Sequence, residues 1–119
     1  MKKKFSWNYN EEDDVLYLHD SKKKAKESIE IEEDMVIDID KDNNLVGLEV
    51  FYPSELFKAV NKDFPLKLLK ELKDVEVELS TYRNYAIIKL YMQFNNKIIE
   101  EQLPPIPLRK YESPILSHV

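Results

Sequence analysis

Apolar and polar residues alternate with a period of two through most of the chain, which predicts β-strands. Residues 5–10 and 14–19 read as two strands joined by the acidic turn Glu11-Glu12-Asp13. In the second strand Val15, Tyr17 and His19 share one face, and Leu16 and Leu18 the other. A lysine-rich connector, 20–26, leads to Glu27-Ser28-Ile29-Glu30-Ile31-Glu32, which has one apolar and one acidic face. Met35, Ile37 and Ile39 continue the alternation to Asp40, and a turn at 41–44 returns the chain through Leu45 to Phe51. These segments form a predicted N-terminal meander of five strands.

The period changes after Pro53, which cannot continue a ladder. Ser54 is placed to cap a short helix over 55–61, with Leu56, Phe57 and Val60 on one side. Asp63 is placed to cap a second helix that tolerates Pro65 in its first turn. Phe64, Leu68, Leu69 and Leu72 give that helix an apolar stripe.

The last third reads as a three-strand meander whose register can be derived. With Arg83-Asn84 as a two-residue turn, Val75, Val77, Leu79 and Thr81 pair with Met92, Leu90, Ile88 and Ala86. Glu78 then opposes Lys89, a favourable cross-strand pair. With Asn95-Asn96 as the next turn, Met92 faces Ile99 and Ile88 faces Leu103. Two independent turns thus select one core face. The tail from Leu103 is extended, proline-rich and apolar enough to dock as a strap or arm. The expected architecture is a single α+β domain over 1–119: a mainly antiparallel sheet with an N-terminal five-strand meander, two short helices, a C-terminal three-strand meander and an extended tail.

Composition narrows the chemistry. The chain has 119 residues, no cysteine and one glycine, Gly47, which falls inside the predicted strand 45–51. A glycine there marks a bulge or a close approach by another group. Other turns must rely on Asn, Asp and Pro. The absence of cysteine excludes disulfides, thiol catalysis and cysteine-ligated zinc, and fits a cytoplasmic setting. No apolar run approaches a membrane span, and the basic start has no apolar core after it, so no secretion signal is expected. The Lys/Glu/Ile-rich, glycine-poor balance fits a heat-adapted host, as it would an AT-rich genome.

Four sets of residues are candidates for function. The outward face of the last meander carries Tyr82, Tyr85, Ile87, Tyr91 and Ile98, and with Pro105 and Pro107 of the tail it suggests a protein-binding or homodimer surface. Net charge is −5, yet lysines cluster at 2–4 and 22–26 and acids at 11–14 and 30–34. If the first two strands form a hairpin, the two lysine clusters share one end and the acids take the other. Lys22, Lys23, Lys24 and Lys26 could neutralise nucleic-acid phosphates, although arginine, the usual base reader, appears only as Arg83 and Arg109. Asp38, Asp40, Asp42, Asn44 and Glu49 match a calcium loop with Asn43 at the glycine position. The approach alternates like a strand rather than a helix, so a polar hairpin turn is the competing reading. His19 and His118 are the only histidines and neither has a catalytic motif around it. No pattern calls for a cofactor.

Two blocks resemble a known family. Tyr9-Asn10-Glu11-Glu12-Asp13-Asp14-Val15-Leu16-Tyr17-Leu18 resembles the opening Y-D-x-E-x-D-x-L-Y-I of a small uncharacterised prokaryotic domain family of unknown function. Asp38 to Val50 resembles its second block, D-x-D-x-D-G-x-L-V-G-I-E-I, with Asn10 and Asn43 as departures that keep turn chemistry. The resemblance spans about 5–53. It implies a β-hairpin at the acidic spacing, with Gly47 as a packing or bulge residue, and it transfers no catalytic residue. Some members resemble the antitoxin half of toxin–antitoxin pairs in gene arrangement, which implies a regulatory role. The leading expectation is therefore a non-enzymatic protein-binding domain, with nucleic-acid binding and metal binding as alternatives.

Overall fold

The first strand pairs with two different partners along its length. A computed structural model describes residues 2–42, 44–60, 62 and 66–107. In β1 (Lys2–Asn10), Ser6–Asn10 pair with β2 (Val15–His19). Lys2–Phe5 pair instead with β6 (Asp74–Thr81). That second pairing sets Lys2 against Glu78 and Lys4 against Glu76, so opposite charges face each other across the ladder. The remaining strands are β3 (Glu27–Ile31), β4 (Met35–Ile39), β5 (Leu45–Phe51), β7 (Tyr85–Phe94), β8 (Lys97–Gln102) and β9 (Ile106–Pro107).

All these pairings are antiparallel, in the order β3-β4-β5-β2-β1-β6-β7-β8, with β9 added to β7. The first five strands are therefore not a simple meander, which corrects the expected order. The chain leaves β2, crosses to β3 and returns through β4 to place β5 beside β2. This is a Greek-key arrangement. The cause is the long connector 20–26, which lets β3 start away from β2; the Lys26 amide then donates to the Ile39 carbonyl at 2.7 Å.

The α+β expectation is corrected as well. Among the described residues there is one α-helix, α1 (Pro53–Val60), and a 3-10 turn at Leu66–Leu69, not two short helices. The expected cap and first turn of the second helix, Asp63 to Pro65, lie outside the described residues. Beyond Leu69 there is no room to propagate a helix. The Lys70 amide bonds three residues back to Lys67, and the Lys73 amide is taken by Gln93 of β7. Leu68, Leu69 and Leu72 are buried without a full helix. At α1, the first helical bonds go to the Tyr52 carbonyl, with Pro53 in the first turn, so Tyr52 rather than Ser54 is the capping position.

The C-terminal register agrees with expectation pair by pair: Val75 with Met92, Val77 with Leu90, Leu79 with Ile88, Thr81 with Ala86, and Glu78 with Lys89. Met92 faces Ile99, and the Leu103 amide donates to the Ile88 carbonyl. Asn95 adopts φ 55°, the left-handed conformation that an Asn-Asn turn requires. Of the tail, 103–107 docks along β7, with Leu103 and Ile106 buried. Residues 108–119 lie outside the described residues.

Because β1 belongs to both halves, the sheet folds over and its two inner faces enclose one core. Leu16, Leu18, Ile37, Leu48 and Val50 from one half meet Val75, Val77, Ile88, Leu90 and Met92 from the other, with Phe57, Leu68 and Leu69 beside them. Phe5, at the partner switch, is 3% exposed. Phe5→Ala is expected to lower unfolding stability by about 3–5 kcal/mol in urea titration, because the cavity opens where the halves meet. A loss below about 1 kcal/mol would show that the switch does not depend on this ring.

Candidate functional site

Cross-strand registers line up the outward face of the N-terminal half. Ser28, Asp38, Gly47, His19 and Ser6 form one row across five strands. Gly47 answers both expectations for a strand glycine. Asp38 pairs with Gly47 and Ile39 with Leu45, so Val46 is an extra, bulged residue. A Cβ on Gly47 would lie 2.6 Å from Asp38 Oδ2 and 3.0 Å from Asp38 Cβ. The Asp38 side chain thus lies over the glycine, and its Oδ1 accepts a hydrogen bond from Ser28 Oγ at 2.6 Å.

The calcium-type residues are not gathered. Asp40 is buried with its carboxylate turned onto its own loop, where Oδ1 accepts from the amides of Asp42 and Asn44, each at 2.9 Å. The Asn44 amide, then that of Asp42, holds the Asp40 carboxyl below its ordinary pKa. Asp38 is engaged with Ser28, and Glu49 lies one row along the sheet. Among the described residues no three His, Asp or Glu side chains are placed to hold a metal ion. Burial, reinforced by the Asp38 charge, raises the Glu49 pKa.

The tyrosine face is divided. Tyr82 and Tyr85 stack at the β6–β7 turn, with ring centroids 4.9 Å apart, and are 44% and 39% exposed. Tyr85 pairs with Pro107 of β9; Pro107 and Pro105 are both exposed. Ile87 is buried, flanked by the chain as it passes from β8 to β9. Tyr91 is half-buried and internally engaged. Its hydroxyl donates to Glu78 at 2.8 Å, and the Lys2 ammonium sits 3.9 Å from its ring centre. That hydrogen bond, then burial, pushes its pKa up to about 12. Ile98 is 70% exposed but pairs with Gln93, roughly 27 Å along β7 from Tyr85. The exposed part of the face is therefore split between the Tyr82–Tyr85 pair and the distant Ile98.

The lysine end is assembled as the hairpin geometry implies. Lys3, Lys4 and Lys22 line one groove of about 720 Å³, together with Trp7 and Lys73. A second groove of about 470 Å³ has Lys22, Lys23, Lys24, Lys26 and Lys41 along it. Lys73 had no distinguishing signal in the sequence, because it reaches the groove through the β1–β6 pairing, whereas Trp7 stands on β1 three residues from Lys4 and pairs with β2. At the opposite end, the Phe51 amide bonds to the Asp34 carbonyl and the Tyr52 amide to that of Asp14.

One polar cluster was missed by sequence reasoning. Tyr9 Oη donates to Asp14 Oδ1 at 2.7 Å, and Ser54 Oγ donates to the other carboxylate oxygen. Burial, then the Asp14 hydrogen bond, pushes the Tyr9 pKa up to about 12. The 40-residue separation between Asp14 and Ser54 leaves no local pattern to read. This cluster latches the first hairpin onto the start of α1.

Among the described residues, no helix is long and apolar enough to cross a membrane. Residues 7–53 match the family described as "Protein of unknown function (DUF2283)", so the resemblance carried by the two sequence blocks is shown for that part of the chain. The match ends at Pro53, where α1 begins. A Methanosarcina mazei protein named "Putative hypoxanthine phosphoribosyltransferase" is 23% identical over 111 residues, covering 92% of this chain and 85% of that protein. No solved structure gives a significant match.

Two outcomes are expected at Gly47 and Glu49. Gly47→Ala should destabilise by about 1–3 kcal/mol. Combining it with Asp38→Ala should recover part of that loss, with a coupling above about 0.5 kcal/mol; strictly additive losses would show that the Asp38 contact is irrelevant. For Glu49, a raised folded pKa means that the ionised form opposes folding above the unfolded pKa, and that this penalty disappears as pH falls below it. Glu49→Gln should therefore raise Tm at pH 7 and leave it unchanged below about pH 4. An equal shift at both pH values would remove the electrostatic explanation.

Proposed function

We propose that the chain is a non-enzymatic binding domain that engages a protein partner, including a second copy of itself, through the Tyr82–Tyr85 end of its C-terminal meander. The stacked, exposed ring pair carries this reading. Such rings supply large, rigid contact area at little entropic cost and are enriched where interfaces concentrate binding energy. The two prolines beside them extend the surface without offering a free strand ladder. A regulatory, antitoxin-like role fits this reading, in which the domain acts by occupying its partner.

The name of the Methanosarcina relative adds no residue to this site. The sheet is antiparallel and the one glycine lies in β5, so there is no glycine-rich loop to cradle a phosphorylated substrate.

The test compares the wild type with Tyr82→Glu/Tyr85→Glu. Light scattering should show a wild-type dimer that the double variant converts to monomer. If the wild type is monomeric, a protein recovered with it from its own cells should be lost with the variant at unchanged Tm. Identical mass and identical recovery for both proteins would overturn the reading.

A further inference from the structure

The lysine end carries charge that the molecule itself does not neutralise. Its two grooves are lined by eight lysines against four carboxylates, which leaves an excess of positive charge. Asp74 pairs with Lys4 at 3.0 Å, Asp20 accepts from the Lys22 amide at 3.0 Å, and Asp40 holds its own loop. Asp42, the fourth, is exposed. By contrast, Lys3, Lys22, Lys24, Lys26 and Lys73 make no ion pair among the described residues. The two grooves share Lys22 and so adjoin. The first of them runs past Trp7, which is half-buried and partly packed on the core.

We propose that this end binds a single strand of nucleic acid, with phosphates against the lysines and a base against Trp7. Lysine is a flexible point charge that accepts a phosphate in many orientations, and among the described residues no arginine, whose planar fork reads base edges, lines either groove. Binding is therefore insensitive to sequence. An aromatic wall in a cationic groove is the arrangement that stacks unpaired bases. A duplex hides its base faces and gains only the phosphate contacts. The negative net charge does not oppose this. The 11–14 and 32–34 acids lie at the far end of the strands, roughly 17 Å away. That exceeds the Debye length of about 8 Å at physiological salt. The site shares no residue with the Tyr82–Tyr85 end, so the two readings stand or fall separately.

Trp7 is the only tryptophan in the chain, so its fluorescence reports on this groove directly. Titration with an oligothymidylate of about twelve nucleotides should quench it, within the site sizes usual for such grooves. The binding constant should fall with salt with a log–log slope of about −0.7 per phosphate contacted. Lys3→Gln/Lys22→Gln/Lys73→Gln should weaken binding at least tenfold at unchanged Tm, and a duplex of equal length should bind more weakly than the single strand. Absence of binding at low salt would overturn the proposal, as would wild-type affinity in the triple variant. So would equally tight binding of inorganic polyphosphate or poly-glutamate, which would mark a general polyanion patch. Binding of the oligonucleotide without a change in Trp7 fluorescence would overturn the stacking arrangement.

Discussion

The structure depends on β1 pairing with β2 through one part of its length and with β6 through the other. Without that exchange, two separate sheets would each leave an apolar face open. With it, the faces close on each other and bury Leu18, Leu48, Val77 and Leu90 in one cluster. The exchange occurs between Phe5 and Ser6, where a buried ring is followed by an exposed hydroxyl residue. Lys2 and Lys4 stabilise the second pairing by facing Glu78 and Glu76. The basic start of the chain is therefore a structural strand as well as a charged edge.

Having one glycine places a second constraint on the fold. Among the described residues four adopt positive φ, and the glycine is not one of them: Asp14, Glu32, Tyr52 and Asn95. Asp and Asn tolerate this conformation, but for Glu32 and Tyr52 it costs of order 1–2 kcal/mol each. Tyr52 is held there by its amide bond to Asp14, whose side chain also binds Tyr9 and Ser54. The glycine itself is used where no Cβ fits, under the Asp38 side chain. The acidic spacing that imitates a calcium loop thus serves the hairpin: Asp38 bridges strands and Asp40 caps the turn.

The two ends of the sheet differ in chemistry. At one end, lysines from β1, the 20–26 connector and the segment before β6 surround adjoining grooves. At the far end of β6 the stacked tyrosines project beside Pro107. Between them, Tyr91 and Ile87 are used internally, so the outward aromatic row of the sequence is not a continuous surface.

Local pattern determined much of this. Alternation defined the strands, two short turns set the C-terminal register, and the position of Gly47 announced a bulge and a close contact. Each rests on neighbours in the chain, where spacing alone fixes which residues meet. Tertiary structure decided the rest. Alternation shows that a face is buried but not against what, so the adjacency of β5 to β2 and the divided pairing of β1 were not legible. The second helix looked sound from its apolar stripe, yet β7 captured the Lys73 amide before a helix could propagate. Lys73 joined the lysine groove only because β6, distant in sequence, came to lie beside β1. Long-range pairing is chosen by the total burial it achieves, a quantity that no short stretch of sequence contains.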